Sequence, residues 1–178
     1  MTTQAVHRTF VDRMIGAARL DSSVYEEVEG DTSATAQAAA IIVLAAIAGG
    51  IGVITQGTTA ISVAVLTGLI GWVVYAFLAY WVGTNWFKGP RTEATWGELL
   101  RTLGFANTPR LLLIFGIVPT IGWIIQFVVF IWTLVTTVIA IRQALDFGMG
   151  EAIGTAVVAW IPYVVISLVL TLIVSIAV

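Results

Sequence analysis

The chain has 178 residues, 59% of them hydrophobic and 10% charged, with a net charge of −2 and a mean hydropathy of +1.01. A soluble domain devotes about a quarter of its residues to charge, so this composition cannot clothe a water-facing surface and describes an integral membrane protein. The absence of cysteine excludes disulfides, thiolate metal sites and cysteine nucleophiles.

Residues 1–33 are polar and charged, without the apolar core of a signal peptide. Within them "VHRTFVDRMIGAARL" is amphipathic. Phe10, Val11, Met14, Ile15 and Ala18 recur at helical spacing, with Arg8, Asp12, Arg13 and Arg19 largely outside the stripe. Such a helix either lies on the membrane surface or packs against the protein's own inner loops. In "SSVYEEVEGD", Ser23 and Glu26 have capping-box spacing and Gly30 can end a short helix. The acids Glu26, Glu27, Glu29 and Asp31 read as a solvated face rather than a metal site.

The first apolar run covers about 38–55, with Ala45/Gly49 and Ala48/Gly52 at the small-xxx-small spacing that permits close helix approach. After a tight "QGTT" turn, the second covers about 60–82. It ends in Tyr80 and Trp81, followed by Trp86 and Phe87, an aromatic belt. The polar stretch after it holds a second amphipathic helix. Thr95 and Glu98 cap it, Trp96, Leu99, Leu100 and Leu103 form its apolar face, and Gly104 is expected to close it. Asn107-Thr108-Pro109 restarts a helix. The apolar run from Pro109 to Ile141 would be roughly 50 Å long against a hydrocarbon core of about 30 Å. Pro119, Thr120 and Gly122 divide it into a short third segment, about 109–118, and a fourth span, about 121–141. A fifth run covers about 153–178, with Pro162 expected to kink it.

This predicts an all-α polytopic membrane bundle with five membrane segments, the third short and forming a hairpin with the fourth, plus cytoplasmic-side amphipathic helices. The division is an N-terminal segment, 1–33, and a transmembrane domain, 34–178. With the N-terminus inside, all eight basic residues (Arg8, Arg13, Arg19, Lys88, Arg91, Arg101, Arg110, Arg142) and all ten acids fall in inner segments 1–33, 84–110 and 142–151. That is a strong positive-inside pattern, and it places the C-terminus on the opposite side, with a bacterial inner membrane as the expected location. In the loop "IRQALDFGMGEA", Arg142 and Asp146 mark the inner face and Gly148 and Gly150 are expected to reverse the chain.

Catalytic chemistry is hard to find. The single histidine, His7, sits in the N-terminal amphipathic helix, and there is no phosphate loop, ligand cluster or paired nucleophile. No charge lies deep in a span, where ion pathways leave one. Arg110 stands at the inner mouth of the third segment, from which it can snorkel. Thr133, Thr136 and Thr137 share a face of the fourth span. Tyr163, Ser167, Thr171 and Ser175 form a polar stripe on the fifth. Such stripes glue bundles together, or line a narrow path.

Four stretches carry a family resemblance: the acidic "SSVYEEVEGD", "LLRTLGFANTPRLLL", "IWTLVTTVIAIRQALDF" and the five-span layout. With these the chain resembles the bacterial branch of the Yip family, the Ypt/Rab-interacting membrane proteins, from about residue 20 onward. The resemblance implies a cytoplasmic N-terminus and five membrane segments. Eukaryotic members bind prenylated Rab-type GTPases, but the sequence does not show their Asp-Leu-Tyr-Gly-Pro motif or long cytosolic N-terminal region, so GTPase binding does not carry over.

The expected function is a non-catalytic membrane scaffold or adaptor, with no cofactor and no metal. Its expected partners are the lipid bilayer and other membrane proteins, in a homo- or hetero-oligomer, and no nucleic acid. The alternatives are an accessory subunit of a larger membrane complex and a small-solute channel or transporter. Candidate interaction or packing residues are Arg101, Arg110, Arg142, Asp146, Thr133, Thr137, Tyr163, Ser167 and Thr171.

Overall fold

The structure, a computed structural model, describes residues 8–52, 59–89, 92, 94–118 and 120–177. Among these every regular element is helical: α1 (Phe10–Ala18), α2 (Ser22–Gly30), α3 (Ala34–Gly52), α4 (Thr59–Trp86), α5 (Trp96–Ala106), a 3-10 segment (Thr108–Ile117), α6 (Gly122–Ala144) and α7 (Met149–Ala177). Four helices, α3, α4, α6 and α7, are long and apolar enough to cross a membrane. The third apolar run, Thr108–Ile117, is instead a 3-10 helix of 10 residues. At about 2 Å rise per residue it covers roughly 20 Å. Pro119 and the turn at 53–58 lie outside the described residues.

Neighbour relations build a ring. The 3-10 segment packs against α3 and α6, α7 against α6 and α4, and α4 against α3. Small residues set the close approaches. A Cβ on Gly50 would lie 2.9 Å from Ile61, and one on Gly68 would touch Ala46 and Ile42. Gly49 faces Leu113, so part of the small-residue pattern of α3 serves the 3-10 segment. α5 lies across one end of the ring and touches α2, α3, α4, α6 and the 3-10 segment. Gly104 does not close α5, as expected from the sequence, but lies within it. A Cβ there would come within 2.4 Å of Ala38 Cβ. Glycine is needed at this position to let α5 cross α3.

The fully buried large side chains cluster at that crossing: Tyr25, Ile41, Leu99, Leu103, Phe105, Ile141 and Leu145. Each contributes on the order of 1.5–3 kcal/mol by leaving water. This end of the bundle also holds the charges, and is called the charged end below. At the other end α6 and α7 expose most of their surface, including Trp123, Phe127, Phe130, Val165 and Leu168. An apolar surface of that kind belongs in hydrocarbon. α4 and α7, with 28 and 29 residues, are about 42–44 Å long, enough for a bilayer core plus the layer made by α1, α2 and α5.

Candidate interaction face at the charged end

The charged end is built from α1, α2, α5 and the turn between α6 and α7. α1 starts with a capping box in which Thr9 and Asp12 exchange hydrogen bonds. Its buried face is rotated from the expected stripe. Arg13 and Ala17 are buried beside half-buried Phe10 and Met14, whereas Val11 (58%) and Ile15 (45%) are exposed. The helix packs on the protein itself, with Phe10 edge-on to Phe105 and the Trp132 indole donating to the Ala18 carbonyl at 2.8 Å.

Arg13, 5% exposed, is the hub. It reaches Glu27 at 2.9 Å, Asp31 at 2.8 Å and the Gln37 amide oxygen at 3.1 Å, tying α1 to α2 and to the first turn of α3. Burial works against its charge, but bonds to Asp31 and Glu27 outweigh that, and its affinity for the proton rises. Arg8 adds a second pair to Glu27 at 2.9 Å. α2 is capped by Asp21, which accepts from the Ser23 backbone, so the expected Ser23–Glu26 capping box is replaced. The reason is register: the helix begins at Ser22, which puts Asp21 at the cap.

Arg101 is buried and closes the other end of α2. Its Nε donates to the Val28 carbonyl at 3.0 Å, and its guanidinium also donates to the Glu29 carbonyl. These are the carbonyls that a helix C-terminus leaves unpaired, and a cation is favoured there. The Glu29 carboxyl is pushed up to about 7, first by burial and then by Glu98, Asp146 and Glu26, with Arg101 acting in the opposite sense. Asp21 and Asp31 are lowered, chiefly by bonds from Ser23 and Ser33.

α6 ends in a Schellman turn, in which Phe147 N–H donates to the Arg142 carbonyl at 2.9 Å and Asp146 N–H to the Gln143 carbonyl at 3.1 Å. Asp146 takes the left-handed position, φ 52°. The chain therefore reverses at Asp146, before Gly148 and Gly150, because aspartate tolerates that conformation when its backbone donor is satisfied. α1 ends in the same way, with Leu20 at φ 64° and Asp21 N–H donating to the Gly16 carbonyl at 3.0 Å.

Arg142 and Asp146 are both exposed and line a shallow open cleft of about 440 Å³ with Ser22, Glu26, Gln143 and Phe147. Gln143 bridges to Glu26 at 3.0 Å, which fastens the α6–α7 turn to α2. No ion pair joins Arg142 to Asp146 among the described residues.

The other sequence candidates lie away from this face. Arg110 is exposed and donates to Asn107 Oδ1 at 3.2 Å. Asn107 gives the following segment no side-chain cap, since its amide donates back to the Leu103 carbonyl at 2.8 Å. Thr133 Oγ1 is buried without a hydrogen-bond partner among the described residues, whereas Thr136 donates to the Ala106 carbonyl at 2.7 Å and Thr137 is half-buried. Tyr163 stacks edge-on to Tyr75 with ring centroids 5.4 Å apart, and Ser167 is half-buried. The side chain of Thr171 is outside the described set.

Arg13, expected outside the apolar stripe, is buried, and Glu29, expected on a solvated face, is half-buried, while Trp72 and Trp132 are not among the sequence candidates. A signal existed for the first: Phe10, Arg13, Met14 and Ala17 share one helix face. For Trp72, whose indole donates to the Leu100 carbonyl at 2.8 Å, no local pattern distinguishes it from a lipid-facing tryptophan.

Among the described residues no group of His, Cys, Asp or Glu could hold a metal ion. The charged groups bind the protein's own helices to one another, so the fold defines a multi-pass helical membrane protein with a charged, ion-paired layer at one end. Residues 22–174 match the family model of the Yip1 domain. The chain belongs to that family. No curated protein and no solved structure matches it.

Proposed function

We propose that this protein is a non-catalytic membrane scaffold or adaptor whose docking surface is the cleft between α2 and the α6–α7 turn. One observation carries the reading. Of two open, charged clefts beside the ion-paired layer, the wider, about 440 Å³ against about 270 Å³, is lined by Glu26, Arg142 and Asp146, whereas the neighbouring Arg13 and Arg101 are consumed inside the fold. In this reading the charged end is cytoplasmic, and the chain has five membrane segments. Gln143 bonds to Glu26, and Leu145 and Phe147 lie against Gly83, so α6 ends beside the end of α4. Between those ends the chain has to cross to the start of α6, and the 3-10 segment is the element that bridges the gap.

The test is native mass determination after gentle detergent extraction, for wild type and for Glu26→Lys and Arg142→Glu. A stoichiometric protein complex lost in both variants, with the fold kept, is the expected result. A lone monomer carrying lipid alone would sink the proposal.

A second reading, an accessory subunit docked through its helices, draws on Gln126. This amide is exposed in the apolar half of α6 among exposed Trp123, Phe127 and Phe130. Gln126→Leu should weaken such a complex while leaving the Arg142→Glu result unchanged.

A further inference from the structure

Arg110 is the only charged residue between Arg101 and Arg142. It stands in the first turn of the 3-10 segment, exposed, with Asn107 Oδ1 at 3.2 Å as its protein acceptor. Every ion pair among the described residues engages Arg8 or Arg13, and none reaches Arg110. A guanidinium has five N–H donors, and on Arg110 most of them meet no acceptor among the described residues.

Its position makes that unusual. Tyr163 lies within electrostatic range of Arg110 and sits at the midpoint of α7 (Met149–Ala177). The Tyr163 hydroxyl in turn comes within 3.0 Å of where a Cβ on Gly71 would be, near the middle of α4. Arg110, in the first turn of the 3-10 segment that follows α5, thus stands where the charged layer gives way to the apolar part of the bundle. A cation at that boundary gains from an anionic partner or a route to water.

The surroundings indicate which anion. Onward from Arg110 the segment exposes Leu112, Ile114, Phe115 and Ile117. This apolar track is roughly 15 Å long at about 2 Å per residue, comparable to one leaflet of a bilayer core of about 30 Å. A soluble anion would gain nothing from it. A ligand with a charged phosphate at one end and hydrocarbon at the other would use both.

We propose that Arg110 binds the phosphate of a membrane phospholipid whose acyl chains lie along the exposed side of the 3-10 segment. Arg110 supplies the charge-assisted donors. Asn107, through its Oδ1, holds the guanidinium in place.

The experiment uses the full chain in mild detergent. By native mass spectrometry with dioleoyl phosphatidylglycerol, wild type and Arg142→Gln retain a lipid adduct, Arg110→Gln retains about tenfold less, and Arg110→Lys is intermediate. Equal retention in Arg110→Gln overturns the proposal. So does an associated protein chain, in place of lipid, that Arg110→Gln releases, because the site would then belong to a partner helix. A second measurement needs no variant. Delipidated wild-type protein is melted with phosphatidylglycerol, with dioleoylglycerol, which has the same chains and no phosphate, and with inorganic phosphate. Only the phospholipid should raise the midpoint. An equal rise with dioleoylglycerol removes the role of the phosphate. An equal rise with inorganic phosphate gives the site to a soluble anion, and either result overturns the assignment.

Discussion

The two ends of the bundle solve the problem of stability in different ways. At the charged end, α1, α2 and α5 fill the space between the long helices. Tyr25, Leu99 and Phe105 are fully buried there, and Arg13 is satisfied by three side chains from two other helices. At the apolar end, α6 and α7 present Phe127, Val128, Val165 and Leu168 outward and bury little. Packing inside the protein holds the first region, and the second leans on surrounding hydrocarbon. The difference teaches that substitutions at the charged end should cost stability in any solvent system, whereas the apolar end should answer to the choice of detergent or lipid.

The sharpest way to break this comparison is Arg13→Ala. Removing one member of a buried ionic cluster leaves Asp31 without its cation and Glu27 with Arg8 alone, at a cost of about 3 kcal/mol. Thermal unfolding in one detergent at fixed lipid should show the loss, and an unchanged midpoint would mean that the layer is not held by its ions. Gly104→Val comes next. Its side chain would collide with Ala38, and overpacking of this kind costs about 2 kcal/mol. Rescue by no detergent, when several are tried, is the signature of a packing fault at the charged end.

The third test is pH. Glu29 has a raised value in the fold, about 7 against 4.5. Between these values the folded chain holds a proton that the unfolded chain has released. The contribution of Glu29 is therefore full below about 4.5 and declines as the pH rises to about 7. Because the group is only half-buried, screening reduces the effect to about 1 kcal/mol. Glu29→Gln should flatten the profile over that window; a slope that persists would assign it to another group. The smallest effect is a gain. Leu20 occupies a left-handed position, φ 64°, and Leu20→Gly should stabilise the chain by about 1 kcal/mol, raising the unfolding midpoint in every detergent alike.

Much of the fold could be read from periodicity and charge. The four long helices follow directly from uninterrupted apolar runs, and the Thr95–Glu98 capping box is where its spacing put it. Local signals failed where tertiary contact decides. Gly104 has the look of a helix terminator, but it serves a helix crossing with Ala38, 66 positions earlier in the chain. Gly148 and Gly150 advertised a turn that Asp146 makes. The third segment was legible as short and apolar, yet its 3-10 geometry was not, because apolar composition does not distinguish the two helix types. Of the interaction candidates, Arg142 and Asp146 meet in one cleft, while Arg101 is spent on capping α2. Nothing in a single sequence separates a surface arginine from one that closes a helix 72 residues away.

The bond from the Trp132 indole to the Ala18 carbonyl links residues 114 positions apart, and that from Gln143 to Glu26 links residues 117 apart. It has a consequence for how the protein is made. Chains grow at about 5–20 residues per second, so α1 and α2 leave the ribosome roughly 6–23 seconds before the helix they dock against exists. Until α5 and the 3-10 segment emerge, Phe10 and Met14 lack most of the protein surface that later covers them, and the bilayer beside the translocon is the nearest apolar phase. The anchors that α6 brings to the Ala18 carbonyl and Glu26 close last. Assembly of the charged end is therefore a late, post-insertion event, and slowing translation between α2 and α6 should lengthen the time during which this end is open to proteolysis.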